Sequence, residues 1–170
     1  MGLLQVGAVA VAVVACVWDI RTRRIPNTLT LGGALLGVCV SLIDRGVSGF
    51  AFSIAGWGLG AALFLPFFAV RGMGAGDVKL MAAIGAWLGV QAVLWSVLYA
   101  AIAGGLLAMA LSVYHGYLGQ ALSNLWGALL HWRTAGLSPV PGLTLTTARG
   151  PRLPYALPIL AGTVVAIWLR

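Results

Sequence analysis

The chain alternates long apolar runs with short polar connections. Four runs, residues 3–18, 29–43, 50–70 and 153–169, each approach the roughly 20 apolar residues that span hydrocarbon. A fifth run, 80–114, contains no charged residue. At about 1.5 Å per residue it is too long for a single span, so we expect it to fold back into two helices. The pattern predicts an all-α, polytopic membrane protein with about six transmembrane helices.

Glycines divide and line these helices. Gly89-Val90-Gln91 and Gly104-Gly105 both qualify as the break within the longest run, and we favour the first. Small residues four positions apart let helix backbones approach closely in a membrane. Such pairs occur at Gly33/Gly37, Gly56/Gly60 and Gly85/Gly89. We interpret residues 1–170 as one integral-membrane domain.

The polar connections predict where the helices begin and end. We expect the first helix to end near Trp18 and Pro26 to mark a turn, because the residue before a proline avoids the α region. Asn27 or Thr28 can then cap the second helix. A glycine-rich connection precedes Asp77, which we expect to begin the fourth helix.

Residues 117–132 differ from the spans, because their apolar positions recur at i, i+3, i+4 and i+7 with polar positions opposite. This pattern is typical of an amphipathic helix in the membrane interface, anchored here by Trp126, Trp132 and Arg133. Such a helix either covers the cytoplasmic surface or docks a helix of a substrate. We expect 118–152 to form a cytoplasmic interfacial helix and loop, the loop over 138–151 being mobile.

Composition and charge place the chain in a membrane. It is 61% hydrophobic and 8% charged, whereas soluble domains are about 45–50% apolar and 25% charged. The net charge of +7 requires no nucleic acid, because topology explains the basic residues. Eight of them fall in connections on one predicted side, against Arg45 and Arg170 on the other: Arg21, Arg23, Arg24, Arg71, Lys79, Arg133, Arg149 and Arg152. We predict a multi-pass protein of the cell (inner, cytoplasmic) membrane, in contact with lipid, whose N-terminus lies outside.

Asp19 and Asp77 carry the candidate chemistry. They are two of only three acidic residues, each borders a long apolar run, and both fall on the predicted cytoplasmic side. A charged group costs roughly 2.5–3.5 kcal/mol at mid-bilayer on insertion scales, so it is a functional candidate by default. Taken singly, Asp77 can cap a helix N-terminus, and Asp19 can be a counter-ion for Arg21 or Arg23. We interpret Asp44 as a solvated charge in an outer turn.

Taken together, the two aspartates predict acid/base chemistry. Two carboxylates that share a site do not readily both ionise, so the pair holds one proton. The charged member can take a proton from water while the protonated member polarises a peptide carbonyl. We expect no metal and no cofactor, because the chain has no glutamate, His115 and His131 lie far along it, and Cys16 and Cys39 lack metal-ligand spacing.

Two motifs carry a family resemblance. Asp19-x-Arg21-x-x-x-Ile25-Pro26-Asn27 and Gly74-x-Gly76-Asp77-x-Lys79-Leu80 resemble the aspartate motifs of the type IV prepilin peptidases, integral-membrane aspartyl proteases of the GxGD class. Leu153-Pro154-Tyr155-Ala156, followed by Gly162, is similar to the start of that family's last helix. The resemblance in order and spacing covers nearly the whole chain.

The resemblance implies cleavage of type IV prepilin or pseudopilin precursors at the cytoplasmic face, after the glycine that closes a short basic leader. Asp19 and Asp77 would be the catalytic pair. The matching motifs add residues that would bind substrate or support the pair: Gly74, Gly76, Lys79, Arg21, Pro26 and Asn27. Larger members of the family also N-methylate their product and carry paired CxxC motifs. This chain has no CxxC, so we expect the compact form without methyltransferase activity.

Two other classes remain as alternatives. A small proton- or cation-coupled transporter would use Asp19 and Asp77 for ion passage, and it would prefer carboxylates near mid-membrane, often with broken helices there. Proteases of the signal peptide peptidase and presenilin type have more helices and different motifs, which Trp18-Asp19 and Ala156-Leu157-Pro158 match poorly. The sequence does not predict an oligomeric state.

Overall fold

A computed structural model describes residues 2–136, 138, 140 and 154–169. These residues form helices and connections without any strand, as the all-α prediction required. The helices are α1 (Leu3–Thr22), α2 (Asn27–Ala69), α3 (Ala75–Tyr114), α4 (Leu118–Ala135) and α5 (Ala156–Trp168). Among them α1, α2 and α3 are long and apolar enough to cross a membrane, and α5 is a shorter apolar helix.

One glycine interrupts each of the two longest helices. Gly46 in α2 has φ 61° and ψ −144°, and Gly89 in α3 has φ 73° and ψ −177°. Side chains other than glycine rarely adopt such angles. The break in α3 therefore falls at the favoured one of its two predicted positions, and the break in α2 falls between the predicted spans 29–43 and 50–70. The count of six transmembrane helices stays a prediction, because length and composition identify three in the described residues.

The first half of α3 forms the centre of the fold. Every residue from Leu80 to Gly89 is buried, which is typical of a helix surrounded by other helices. Helices α1, α2 and α5 all pack on α3. The Trp87 ring lies against Gly7 of α1 and Gly37 of α2, and its Nε1 donates a hydrogen bond to the Gly33 carbonyl oxygen at 2.8 Å. This side chain thereby ties three helices together.

Glycines permit the closest helix contacts, as the predicted pairs required. A Cβ at Gly56 would overlap the Gly85 carbonyl oxygen, and a Cβ at Gly85 would overlap that of Gly56. On α5, a Cβ at Gly162 would overlap the backbone nitrogen of Ala100 in α3. Where lipid removes the hydrophobic drive between helices, such backbone contact is what remains to hold them together.

The surface of the protein is apolar, and its mainly apolar interior contains several small polar residues. Ser41, Ser53 and Ser96 are fully buried, whereas large apolar side chains such as Leu35 and Leu106 are exposed. Ser53 Oγ donates a hydrogen bond to the Ala86 carbonyl oxygen at 2.6 Å and so links α2 to α3. Lipid solvates a surface of this kind better than water does.

The amphipathic pattern of residues 117–132 corresponds to α4. The helix contacts α3, and most of its apolar face is exposed, including Leu122, Leu125 and Trp126. This exposure is compatible with the interfacial position, which stays a prediction. Within the predicted segment 118–152, residues 137, 139 and 141–152 lie outside the described residues, and so does nearly all of the predicted loop.

The predicted end of the first helix was wrong by about one turn. Helix α1 continues past Trp18 to Thr22, because residues 19–22 contain no glycine or proline and their backbone keeps its helical hydrogen bonds. The Thr22 hydroxyl donates to the Trp18 carbonyl oxygen at 2.9 Å, and Arg23 then ends the helix in a left-handed conformation with φ 54°. Asp19 therefore lies inside the last turn of α1.

Two predicted helix starts were also wrong by a few residues. Pro26 holds the N-cap position of α2, so neither Asn27 nor Thr28 caps that helix. A proline suits this place because it has no backbone N–H that would need a partner. Helix α3 begins at Ala75, which places Asp77 third in its first turn.

The contact between Gly56 and Gly85 gives a stability prediction. We expect Gly56→Ala to cost about 1–3 kcal/mol of unfolding free energy, because the added Cβ meets backbone, which cannot move aside. Gly58→Ala is the matched control on the same helix, because nothing lies within 4 Å of a Cβ there. Thermal unfolding in detergent, followed by tryptophan fluorescence, compares the two variants. An equal midpoint for both would contradict the prediction.

Candidate active site

Asp19 and Asp77 line the same cavity. It has a volume of about 290 Å³, and the residues that complete its lining are Arg23, Arg24, Ile25, Gly74 and Gly76. Asp19 comes from the last turn of α1 and Asp77 from the first turn of α3. The third acidic residue, Asp44, is exposed and pairs with its neighbour Arg45 at 3.2 Å. The two carboxylates singled out from the sequence are thus brought together, and Asp44 is not part of their cavity.

Asp77 is held by the start of its own helix. The Gly74 N–H donates a hydrogen bond to Asp77 Oδ2 at 3.2 Å, and the Asp77 N–H donates to the Gly74 carbonyl oxygen at 3.2 Å. The first turn of a helix has free N–H groups and the positive end of the helix dipole, so a carboxylate is favourable there. This local arrangement fixes the side chain at the edge of the cavity.

Asp19 depends on a different helix. It lies near the C-terminal end of α1, where the helix dipole disfavours a negative charge. The residue is nevertheless buried, with 8% of its surface exposed, and its Oδ2 accepts a hydrogen bond from the Ala156 N–H of α5 at 3.4 Å. The N-terminus of α5 therefore offsets the unfavourable position in α1. Asp19 and Asp77 line one cavity, and two carboxylates that share a site favour a state in which the pair holds one proton.

The two glycines before Asp77 permit close approach. A Cβ at Gly74 would lie 3.2 Å from Asp77 Oδ2, and a Cβ at Gly76 would lie 3.2 Å from the Cβ of Ile25. Both distances are tighter than ordinary van der Waals contact. Ile25 belongs to the first aspartate motif, so Gly76 brings the two motifs into contact with each other.

Lys79 and Asn27 form a second link between the motifs. Lys79 Nζ donates a hydrogen bond to Asn27 Oδ1 at 2.8 Å on the exposed side of the site. Asn27 is the first residue of α2, and Lys79 lies near the start of α3. The bond therefore ties the start of α2 to the start of the helix that carries Asp77.

Four of the six predicted supporting residues do not line the cavity. Lys79 and Asn27 bond to each other on the exposed side of the site. Arg21 instead lines an apolar groove of about 420 Å³ along α1, together with Val13, Val14, Val17, Trp18 and Thr22. Pro26 is half-buried and serves as the N-cap of α2. Roles of these residues in binding a substrate stay predictions.

Five neighbours of the pair were absent from the predicted site: Arg23, Arg24, Ile25, Tyr155 and Ala156. Arg23 and Arg24 line the cavity. Arg24 had been interpreted through topology alone, and Arg23 through topology and as a possible counter-ion for Asp19. Tyr155 and Ala156 lie in the segment that resembles the start of the family's last helix, which was the available signal. The contact of Ala156 with Asp19 spans 137 positions of sequence, and no local pattern reports such a contact.

The fold and the site define an all-helical protein, apolar enough to cross a membrane, with two carboxylates in one cavity at its helix ends. The chain belongs to the type IV leader peptidase family, whose sequence profile matches residues 6–109. That range contains both aspartate motifs. The family assignment agrees with the resemblance drawn from those motifs.

Three similar proteins are each named prepilin leader peptidase/N-methyltransferase. One from Burkholderia pseudomallei is 36% identical over 96 residues, which cover 51% of this chain and 30% of the relative. One from Pectobacterium carotovorum is 41% identical over 101 residues, covering 54% and 35%. One from Aeromonas hydrophila is 38% identical over 100 residues, covering 55% and 34%. The matches span about a third of the length of these relatives. No solved structure matches the chain.

The bond between Lys79 and Asn27 gives a prediction about how the motifs are coupled. We expect Asn27→Ala and Lys79→Ala to destabilise the protein non-additively, with a coupling energy of about 0.5–1 kcal/mol, because an exposed bond to a charged group contributes modestly. The measurement is a double-mutant cycle of unfolding in detergent. Thr28→Ala, an exposed change one residue further on, is the control and should be additive with Lys79→Ala. Additivity of the Asn27 and Lys79 variants would rule out the coupling.

Proposed function

We propose that the protein is a membrane aspartyl endopeptidase that removes the short basic leader of type IV prepilin or pseudopilin precursors. The observation that carries the proposal is the shared cavity, which brings together Asp19 and Asp77 in a chain of the type IV leader peptidase family. The names of the similar proteins support the substrate class. Asp19 and Asp77 are the catalytic pair.

The proposed reaction is hydrolysis of a peptide bond by general acid/base catalysis. The ionised carboxylate takes a proton from a water molecule, whose oxygen attacks the scissile carbonyl carbon, while the protonated carboxyl group donates its proton to the carbonyl oxygen. The tetrahedral intermediate, which now has two hydroxyl groups, then collapses and the C–N bond breaks. The leaving amine receives the proton that the pair took from water, and one hydroxyl group returns its proton to the other carboxylate, so the pair again holds one proton. The dyad titrates as a unit, so neither aspartate is given a fixed role.

The cavity faces the cytoplasm in this proposal. Its support is the asymmetry of the basic residues, among which Arg23 and Arg24 line the cavity itself while Arg45 lies at the opposite predicted side. Basic residues beside the aspartates also favour anionic lipid, which concentrates a basic leader at the same surface. The substrate's apolar helix would approach from the membrane and its leader from the cytoplasm.

The transporter alternative receives less support from the geometry. Ion passage prefers carboxylates near the middle of the membrane, whereas Asp19 lies in the last turn of α1 and Asp77 in the first turn of α3. Positions at helix ends suit a reaction that needs water and a peptide at the membrane boundary.

The catalytic proposal predicts which acids matter. We expect Asp19→Asn and Asp77→Asn each to reduce leader removal by at least about 100-fold, because an amide cannot exchange the proton that general acid/base catalysis requires. Asp44→Asn is the matched control and should retain wild-type activity, since Asp44 is exposed and pairs with Arg45. The assay is the shortening of a co-expressed prepilin on a gel, with membrane fractionation to verify insertion. A processing-competent Asp19 or Asp77 variant would contradict the mechanism.

The orientation predicts labelling from opposite sides. In a background with Cys16→Ala and Cys39→Ser, we expect a membrane-impermeant thiol reagent to label Arg45→Cys in intact cells but not Arg24→Cys. Inverted membrane vesicles should give the reverse result. Both native positions are exposed, so access of the reagent depends on the side of the membrane. Labelling of both positions from the same side would overturn the proposed topology.

A further inference from the structure

The start of α5 lies against the proposed catalytic pair. Ala156 is fully buried, and its N–H donates to Asp19 Oδ2 at 3.4 Å. Ala156 is the first residue of α5, so this N–H has no partner within its own helix. The placement of α5 along its axis therefore decides whether Asp19 receives this hydrogen bond.

Tyr155, immediately before α5, lies between α2 and α3. Its ring packs edge-to-face on Phe64 of α2, with centroids 6.3 Å apart and an interplanar angle of 77°. Tyr155 thus joins the start of α5 to α2.

A glycine of α3 makes room for this side chain. A Cβ at Gly104 would lie 2.9 Å from Tyr155 Oη, 3.2 Å from Cζ and 3.4 Å from Cε2. At the adjacent Gly105, nothing lies within 4 Å of a Cβ. Tyr155 fits beside α3 because residue 104 has no side chain. A side chain at residue 105 would not meet Tyr155, so that position does not have to be glycine.

We propose that Tyr155 is a positioning residue for the catalytic pair. Held between Phe64 and Gly104, it fixes the start of α5 so that the Ala156 N–H holds Asp19 in place relative to Asp77. Farther along α5, Gly162 packs on the backbone of Ala100 and keeps the remainder of the helix docked. This inference rests on the proposed function, since it assigns Tyr155 a part in the same site.

The test displaces Tyr155 without touching either aspartate. In Gly104→Ala the new methyl group overlaps the hydroxyl, which is the far end of a side chain, so the fold is retained while the tyrosine moves. We expect the kcat for leader removal to fall about 10- to 100-fold, because small misplacements of reacting groups are costly. KM and the thermal midpoint should stay near wild type. Gly105→Ala is the matched control and should leave all three unchanged.

Removal of the hydroxyl provides a rescue. Tyr155→Phe keeps the ring on Phe64, so we expect it to lose less than about 10-fold in kcat. In Gly104→Ala/Tyr155→Phe the atom 2.9 Å from the new Cβ is gone, and kcat should return to the level of Tyr155→Phe alone. A double variant as slow as Gly104→Ala, or a Gly104→Ala variant with wild-type kcat, would overturn the inference.

A spectroscopic measurement tests the positioning without relying on cleavage. The chain has only three acidic residues, all aspartates, so protein labelled with ¹³C-aspartate gives three side-chain carboxyl signals, which single Asp→Asn variants assign. We expect Gly104→Ala to shift the signals of Asp19 and Asp77 but not that of Asp44. Gly105→Ala should shift none of the three signals. The variant Gly104→Ala/Tyr155→Phe should return the Asp19 and Asp77 signals to their wild-type positions. Unmoved Asp19 and Asp77 signals in Gly104→Ala would refute the positioning role. A wild-type protein that removes no leader would instead refute the proposed function.

Discussion

The close approach of α2 and α3 at Gly56 and Gly85 is the contact on which the other arrangements depend. Each glycine lies where a Cβ would overlap the other's carbonyl oxygen, so the two backbones touch directly. This contact fixes the depth of α3 in the bundle, and α1 and α5 complete the burial of its first half. Because Asp77 lies in the first turn of α3, the depth of α3 is also the depth of Asp77. The chemistry of the site is thus set by the packing of residues about two turns away.

Hydrogen-bond supply explains why the carboxylates lie at helix ends. In the interior of a helix every backbone N–H is already bonded, and lipid offers no substitute. Free N–H groups occur at helix N-termini. Asp77 accepts a hydrogen bond from the Gly74 N–H at the start of its own helix. Asp19 accepts a hydrogen bond from the Ala156 N–H at the start of α5. Asp19 could not have obtained such a donor from α1, because it lies in the last turn of that helix. The pair therefore requires three helix ends to meet.

The features that sequence predicted are those with a local cause. Apolar runs identified the helices, and glycine identified both the break at Gly89 and the tight contacts of the small-residue pairs. The continuation of α1 to Thr22 was not predicted, because the polar residues after Trp18 were taken to end the helix. Residues 19–22 in fact contain no glycine or proline that would end it. The contacts of Tyr155 and Ala156 were missed for a different reason. They join residues from different helices, 137 positions apart in the case of Ala156 and Asp19, and only packing brings these together.

The position of the two aspartates at helix ends also suits the substrate of the proposed reaction. A peptide bond inside an intact helix has its carbonyl oxygen engaged by a backbone N–H, which leaves little freedom for attack by water. At the point where an apolar helix begins, the chain that precedes it is still extended and its groups are free. A site at the membrane boundary meets the substrate at that point, whereas a site at mid-membrane would meet only helix. Water is also available at the boundary, and the proposed hydrolysis consumes it. In the proposed reaction, the constraint that lipid imposes on the two carboxylates therefore directs them to the depth at which a peptide bond of the proposed substrate is free to react.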